Sequence, residues 1–148
     1  MDCMLRSFLF VGFLCWSLFA VSQGSSKENW ETLSKLEFEK SHDEYGEIYL
    51  PKFGPEIKAL AGKEIELDGY IIPFEGMFGP TKLIISSVPI ASCFFCGGAG
   101  PESVAEVYLR ESVKYTAKRV KVTGKLTLNK ENSDQLMYIL KDAKMQVL

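Results

Sequence analysis

The chain has 148 residues, of which 47% are hydrophobic and 24% charged, with a formal net charge of -2. Charges of both signs are scattered along it, which gives no basic surface of the kind nucleic acid requires. The apolar content excludes a disordered chain, and the length suits one domain with a sizeable core.

The first stretch reads MDCMLRSFLFVGFLCWSLFAVSQGSS. Arg6 is followed by an apolar run from Phe8 to Val21, shorter than the ~20 residues a spanning helix needs. Ala20 and Ser22 place small residues where a signal protease wants them. The layout predicts a secretory signal peptide over 1–22 and a mature chain that starts at Gln23 in a periplasmic or other extracytoplasmic compartment. An uncut membrane anchor is the alternative, because Asp2 weakens the charged n-region. Phe13 and Leu14 before Cys15 speak against a lipid there. Removal of the signal takes Cys3 and Cys15 with it, leaving Cys93 and Cys96. Export permits disulfides, but two cysteines make at most one bridge.

Residues 23–62 read as a polar N-terminal extension. Trp30, Leu33 and Leu36 are spaced like one face of a helical turn, while Lys35 to Phe38 fits a short strand equally well. GPEIKALAG is clearer: Pro55 suits the first helical position, Glu56 the positive end and Gly62 the stop, so a helix of under two turns is expected.

From Lys63 onward the period becomes two. KEIELDGYIIPF sets Ile65 and Leu67 against Glu64, Glu66 and Asp68, and TKLIISSV is a second apolar run. SVAEVYLRE sets Ala105, Val107 and Leu109 against Glu106, Tyr108 and Arg110, although it also reads as a helix after Pro101. KRVKVTGKLTLN alternates Val120 and Val122 with Arg119, Lys121 and Thr123, NKENSD is a turn, and QLMYILKDAKMQVL closes the chain with one or two strands. GKEIELDGYI and AKRVKVTGKL echo one another, with Gly69 and Gly124 at the same place. Glycine inside a strand weakens it but permits sharp coiling. About five strands with kinks in the long ones predict a mainly β fold, a small OB-like barrel over 63–148, with a small β-sandwich as the alternative.

SCFFCGGAGPES, from Ser92 to Ser103, carries the chemistry. Residues at i and i+3 bring two sulfurs within reach of one ion or of each other. The glycines behind Cys96 allow a tight turn whose amides would point at sulfur and favour thiolate. Gly97 stands where covalent haem attachment needs His, and a four-cysteine zinc ribbon needs a second pair. A thioredoxin-type site needs a βαβ context, and GGAGPES lacks the lysine of a phosphate loop. Three readings stay open. One is a soft-metal site for Zn²⁺ or Cu(I) at Cys93 and Cys96, one a thiol–disulfide redox pair, and one a structural disulfide beside aromatic core residues.

His42, the single histidine, lies among charges in what reads as an exposed loop and is the candidate third ligand. Asp43, Glu44 and Glu47 read as a solvated face, and Met77, Met137 and Met145 as core packing before copper ligands. No general acid–base motif is present, so a binding protein is expected before an enzyme. Two sulfurs leave a tetrahedral ion half-coordinated, so either His42 or a homodimer that shares two such loops would complete it.

IELDGYIIPFEG followed by LIISSVPIASCFFCGGAGPESVAEVYL resembles a family of small secreted bacterial proteins of unknown function, over roughly residues 60 to 148. The resemblance implies an OB-like domain with a cysteine-containing loop and an association with membrane transporter components for metal uptake. Many members carry Cys-x-His before a proline-rich stretch. Here Cys93 matches the cysteine, Phe95 stands in the place of the histidine, and Cys96 takes the role of a substitute ligand one residue displaced.

Overall fold

A computed structural model describes residues 24–73 and 81–148. The segment 1–22 expected to be a signal peptide, and Met77, lie outside the described residues. The elements are α1 (Ser26–Leu33), β1 (Glu37–Asp43), β2 (Gly46–Lys52), α2 (Pro55–Leu60), β3 (Glu64–Ile72), β4 (Lys82–Ser86), β5 (Val104–Leu109), β6 (Val120–Leu128) and β7 (Tyr138–Val147).

Strands β3 to β7 close into a barrel in the order β3-β4-β5-β7-β6, with β6 returning to β3. Every pairing is antiparallel except β5 with β7. This is the five-stranded OB topology, and closure excludes the sandwich. Alternation supplies the interior: Ile65, Leu67 and Ile71 of β3, Leu83 and Ile85 of β4, Ala105 and Val107 of β5, and Val120, Val122 and Leu126 of β6 belong to one buried core. The SVAEVYLRE segment is strand and not helix from Val104, because β4 and β7 offer a ladder on both sides of it. A single short 3₁₀ turn, Pro101–Ser103, is what remains of the helical signal.

The kinks fall where the echoed glycines stand. β3 pairs with β6 from Glu64 to Gly69 and with β4 from Tyr70 to Ile72, so Gly69 marks the changeover between neighbours. Gly124 sits in the register shift between β6 and β7. On the opposing strand Asp142 adopts φ 52°.

The changeover leaves the first half of β3 with a free edge, and α1 covers it. A capping box starts the helix: the Glu28 amide donates to Ser25 Oγ at 3.3 Å, and the Ser25 amide to Glu28 Oε2 at 2.8 Å. Asn29 Nδ2 donates to the Glu66 carbonyl at 2.9 Å and Trp30 Nε1 to the Asp68 carbonyl at 2.9 Å. The Asp68 amide donates to Ser26 Oγ. Three helix side chains thus satisfy an edge that would otherwise invite another strand. Leu33, at the end of α1, is fully buried, and its carbonyl accepts from the Tyr138 hydroxyl at 2.7 Å. Burial pushes the Tyr138 phenol well above its ordinary range.

The extension also holds a feature the sequence pattern hid. β1 and β2 form a two-stranded antiparallel ribbon from Glu37↔Lys52 to Asp43↔Gly46. Its turn is set by Asp43 Oδ1, which accepts from the amides of Tyr45 at 2.8 Å and Gly46 at 3.1 Å. Lys130 Nζ to Glu39 Oε1, at 2.8 Å, links the ribbon to the turn between β6 and β7.

Candidate functional site

The connection from β4 to β5 carries the cysteines. The Ser87 amide donates to the Ser103 carbonyl at 2.9 Å and closes its base. Two 3₁₀ turns follow, Ile90–Ser92 and Phe94–Cys96, with Cys93 between them in extended conformation. The Cys96 amide donates to the Cys93 carbonyl at 3.0 Å, Gly97 to Phe94 at 3.0 Å and Gly98 to Cys93 at 3.1 Å. Gly97 has φ +76°, a conformation that side chains disfavour, and a Cβ on Gly98 would lie 2.7 Å from the Ser92 oxygen. The glycines therefore shape the turn, as expected. The amides of Gly97 and Gly98 go to carbonyl oxygens and not to sulfur: Gly97 closes the 3₁₀ turn on Phe94, and Gly98 reaches back five residues to Cys93 as the chain leaves the turn.

The two Sγ atoms stand 3.7 Å apart, both free. Their environments differ. Cys93 is fully buried in a small second core with Ile72, Ile84 and Val104, against which Val88, Phe94 and Leu136 pack. Cys96 is exposed. Ile84 and Val104 alternate with the barrel-facing Leu83, Ile85 and Ala105, so this second core lies on the outer face of β4 and β5. In OB barrels that face is where ligands usually sit; here the cysteine connection occupies part of it. Phe94 and Phe95 meet edge-on with centroids 5.2 Å apart. The hydrogen bond with Cys93, then burial, then the repulsion of a charged Cys93 raise the Cys96 thiol above its ordinary value. Cys96 therefore keeps its proton at neutral pH.

A polar network borders this core. Glu106, on the outer face of β5, is 2% exposed. Its Oε1 accepts from Lys82 Nζ at 2.7 Å and the Tyr108 hydroxyl at 2.6 Å, and its Oε2 from the Leu136 amide at 3.1 Å. Gln135 Nε2 donates to the Tyr108 hydroxyl at 2.9 Å. Burial opposes the Glu106 charge, but Lys82, Tyr108 and the Leu136 amide outweigh it and lower its pKa. Sequence reasoning placed Glu106 on the polar side of its strand and missed the network. The acid–base pair with Lys82 depends on a register that no local pattern encodes.

His42 lies on β1 opposite Glu47, exposed, and not in a loop. Among the described residues no three His, Cys, Asp or Glu side chains come together in a group able to hold a metal, so His42 is not brought to the cysteine pair. Met137 and Met145 pack against the main core.

Two thiolates at ~2.3 Å from a tetrahedral ion stand about 3.8 Å apart. The observed 3.7 Å matches that spacing. A disulfide requires the sulfurs to close to about 2.0 Å. The molecule is an OB-type barrel that carries a Cys-x-x-Cys turn on its β4–β5 connection. Searches of protein families, curated proteins and solved structures found no match to this chain.

Proposed function

We propose that the Cys93–Cys96 turn binds a soft metal ion, Zn²⁺ or Cu(I), and that the protein serves as an exported accessory or carrier for a transport system. The observation that carries the reading is the 3.7 Å spacing of two free sulfurs on a turn fixed by three backbone hydrogen bonds. Thiolates select soft ions, and a turn already at the chelating distance loses little entropy on binding. One exposed sulfur lets an incoming donor reach the ion. The apolar run at the N-terminus supports export, and the resemblance to secreted proteins associated with metal-uptake transporters supports the accessory role.

The burial difference favours a second reading, a thiol–disulfide pair in which exposed Cys96 meets the partner and buried Cys93 resolves the mixed disulfide. One experiment separates the two. Reduced protein is titrated anaerobically with Zn²⁺ or Cu(I) while metal–thiolate absorption and free thiols are followed. We expect saturable binding that Cys93→Ser or Cys96→Ser each abolishes. Binding no tighter than in the doubly substituted protein, with a disulfide that glutathione opens readily, replaces the metal reading with the redox one. A disulfide that resists mild reductant leaves the staple.

The raised Cys96 pKa fixes the pH dependence. Metal must displace protons from thiols, so affinity should rise with pH throughout the neutral range, by up to about a hundredfold per pH unit for two thiols. A pH-independent zinc affinity between pH 6 and 8 would mean that thiolate formation is not part of binding.

A further inference from the structure

We propose that the cysteine turn docks against a second copy of this chain, so that two Cys93–Cys96 pairs close one four-sulfur site around a shared ion; this rests on the metal reading above. The first argument is incompleteness. The chain brings two sulfurs together and, among the described residues, no third His, Cys, Asp or Glu to them. A tetrahedral ion needs two donors more.

The second argument is the surface around the pair. In a chain with 24% charged residues, Leu83 through Pro101 contains no charge at all. Beside exposed Cys96, Phe95 is 39% and Ile90 37% exposed. A two-fold contact sets a surface against itself, so each charge near the axis would meet its like. A connection that itself carries no charge and exposes Phe95 and Ile90 suits that contact. It offers no sign complementarity by which a different protein would be steered. A second copy supplies the two missing sulfurs, carried on the same uncharged run from Leu83 to Pro101.

The patch is one connection, well short of the ~1,200–2,000 Å² that a stable interface buries. The ion must therefore hold the pair together, and the dimer should exist only with metal. In the binding step four S–H bonds break, four metal–sulfur bonds form and four protons pass to buffer, with no change of oxidation state.

The test uses the reduced, exported form of the protein with Zn²⁺ alone. Sedimentation gives the mass, metal analysis the stoichiometry and a pH indicator the protons. We expect monomer without zinc, and with zinc a dimer that holds about one ion per two chains and releases about four protons per ion. Phe95→Asp, checked for an unchanged circular dichroism spectrum and thiol count, should weaken the zinc dimer at least about tenfold, whereas Phe95→Leu keeps it. Ile90→Asp is the second variant, should Phe95→Asp not fold. Zinc bound one per chain at monomer mass overturns the dimer and leaves the metal reading standing. No zinc bound above the Cys93→Ser/Cys96→Ser background overturns both. A dimer that forms equally well without zinc, or that keeps its zinc affinity in both Asp variants, also overturns the shared site.

Discussion

Gly69→Ala should destabilise the protein by roughly 3 kcal/mol, more than the same change at Gly124. A Cβ at Gly69 would lie 2.3 Å from the Ser86 carbonyl oxygen and 3.0 Å from its carbon. Both are backbone atoms, and Ser86 sits opposite Tyr70 at the first β3–β4 pair. Relief would require the two strands to part where β3 changes neighbours and would expose core around Ile71 and Ile85. At Gly124 the nearest atoms to an added Cβ are the Ala143 Cβ at 2.8 Å and the Lys141 oxygen at 3.0 Å. That strand already bulges, and Ala143 can shift with it, so roughly 1–2 kcal/mol is expected for Gly124→Ala. Urea midpoints of the two variants, at an unchanged m value, check the order. Equal midpoints, or a smaller loss at Gly69, would mean that the changeover does not rely on close backbone approach.

The two glycines show how much of this fold was readable from the chain. The echo between GKEIELDGYI and AKRVKVTGKL placed a kink in each long strand, because a glycine interrupting a period-two run leaves a visible mark. Alternation likewise placed β3, β5 and β6, since their inner faces are apolar. The ribbon Glu37–Lys52 was read only at its start, where Lys35 to Phe38 also fitted a strand. β1 is almost wholly exposed and gives EFEKSHD no apolar face, while the alternation in GEIYLPK, with Ile48 and Leu50 half-buried between exposed Glu47 and Tyr49, is too short to stand out. The position of His42 followed from the same blindness. At the site, CFFC and its glycines announced a turn with two close sulfurs, which is local information. The burial of Cys93 and the bonds of Glu106 depend on which segments the barrel closure brings over β4 and β5. A chain pattern records spacing along itself and not across a closed sheet.

Glu106→Gln should cost roughly 3 kcal/mol at neutral pH and loosen the cover over Cys93. The carboxylate accepts from three donors in three segments: Lys82 on β4, Tyr108 on its own strand and the Leu136 amide before β7. Glutamine keeps one acceptor oxygen and turns two N–H donors toward groups that themselves donate. The Lys82 ammonium then loses its counter-charge and the Leu136 amide its partner. Leu136 packs on the second core that contains Cys93, so its release should speed modification of that buried thiol while Cys96, already exposed, reacts as before. The pH dependence has a definite sign. The folded pKa of Glu106 lies below the ordinary carboxylate value, so its stabilisation is present above about pH 4.3, the unfolded value, and is lost as pH falls through the lower folded one. Lys82 has its pKa raised, first by the hydrogen bond to Glu106, so its share is complete below about pH 10.4 and disappears as pH rises through the higher folded value. The gap between wild type and Glu106→Gln should therefore be widest from about pH 5 to 9 and shrink on either side. Urea titrations at stepped pH measure the gap, and thiol-labelling rates at Cys93 report the cover. A gap that stays constant down to pH 2 would show that the side chain acts through packing and not through its charge, and an unchanged Cys93 labelling rate would detach this network from the cysteine turn.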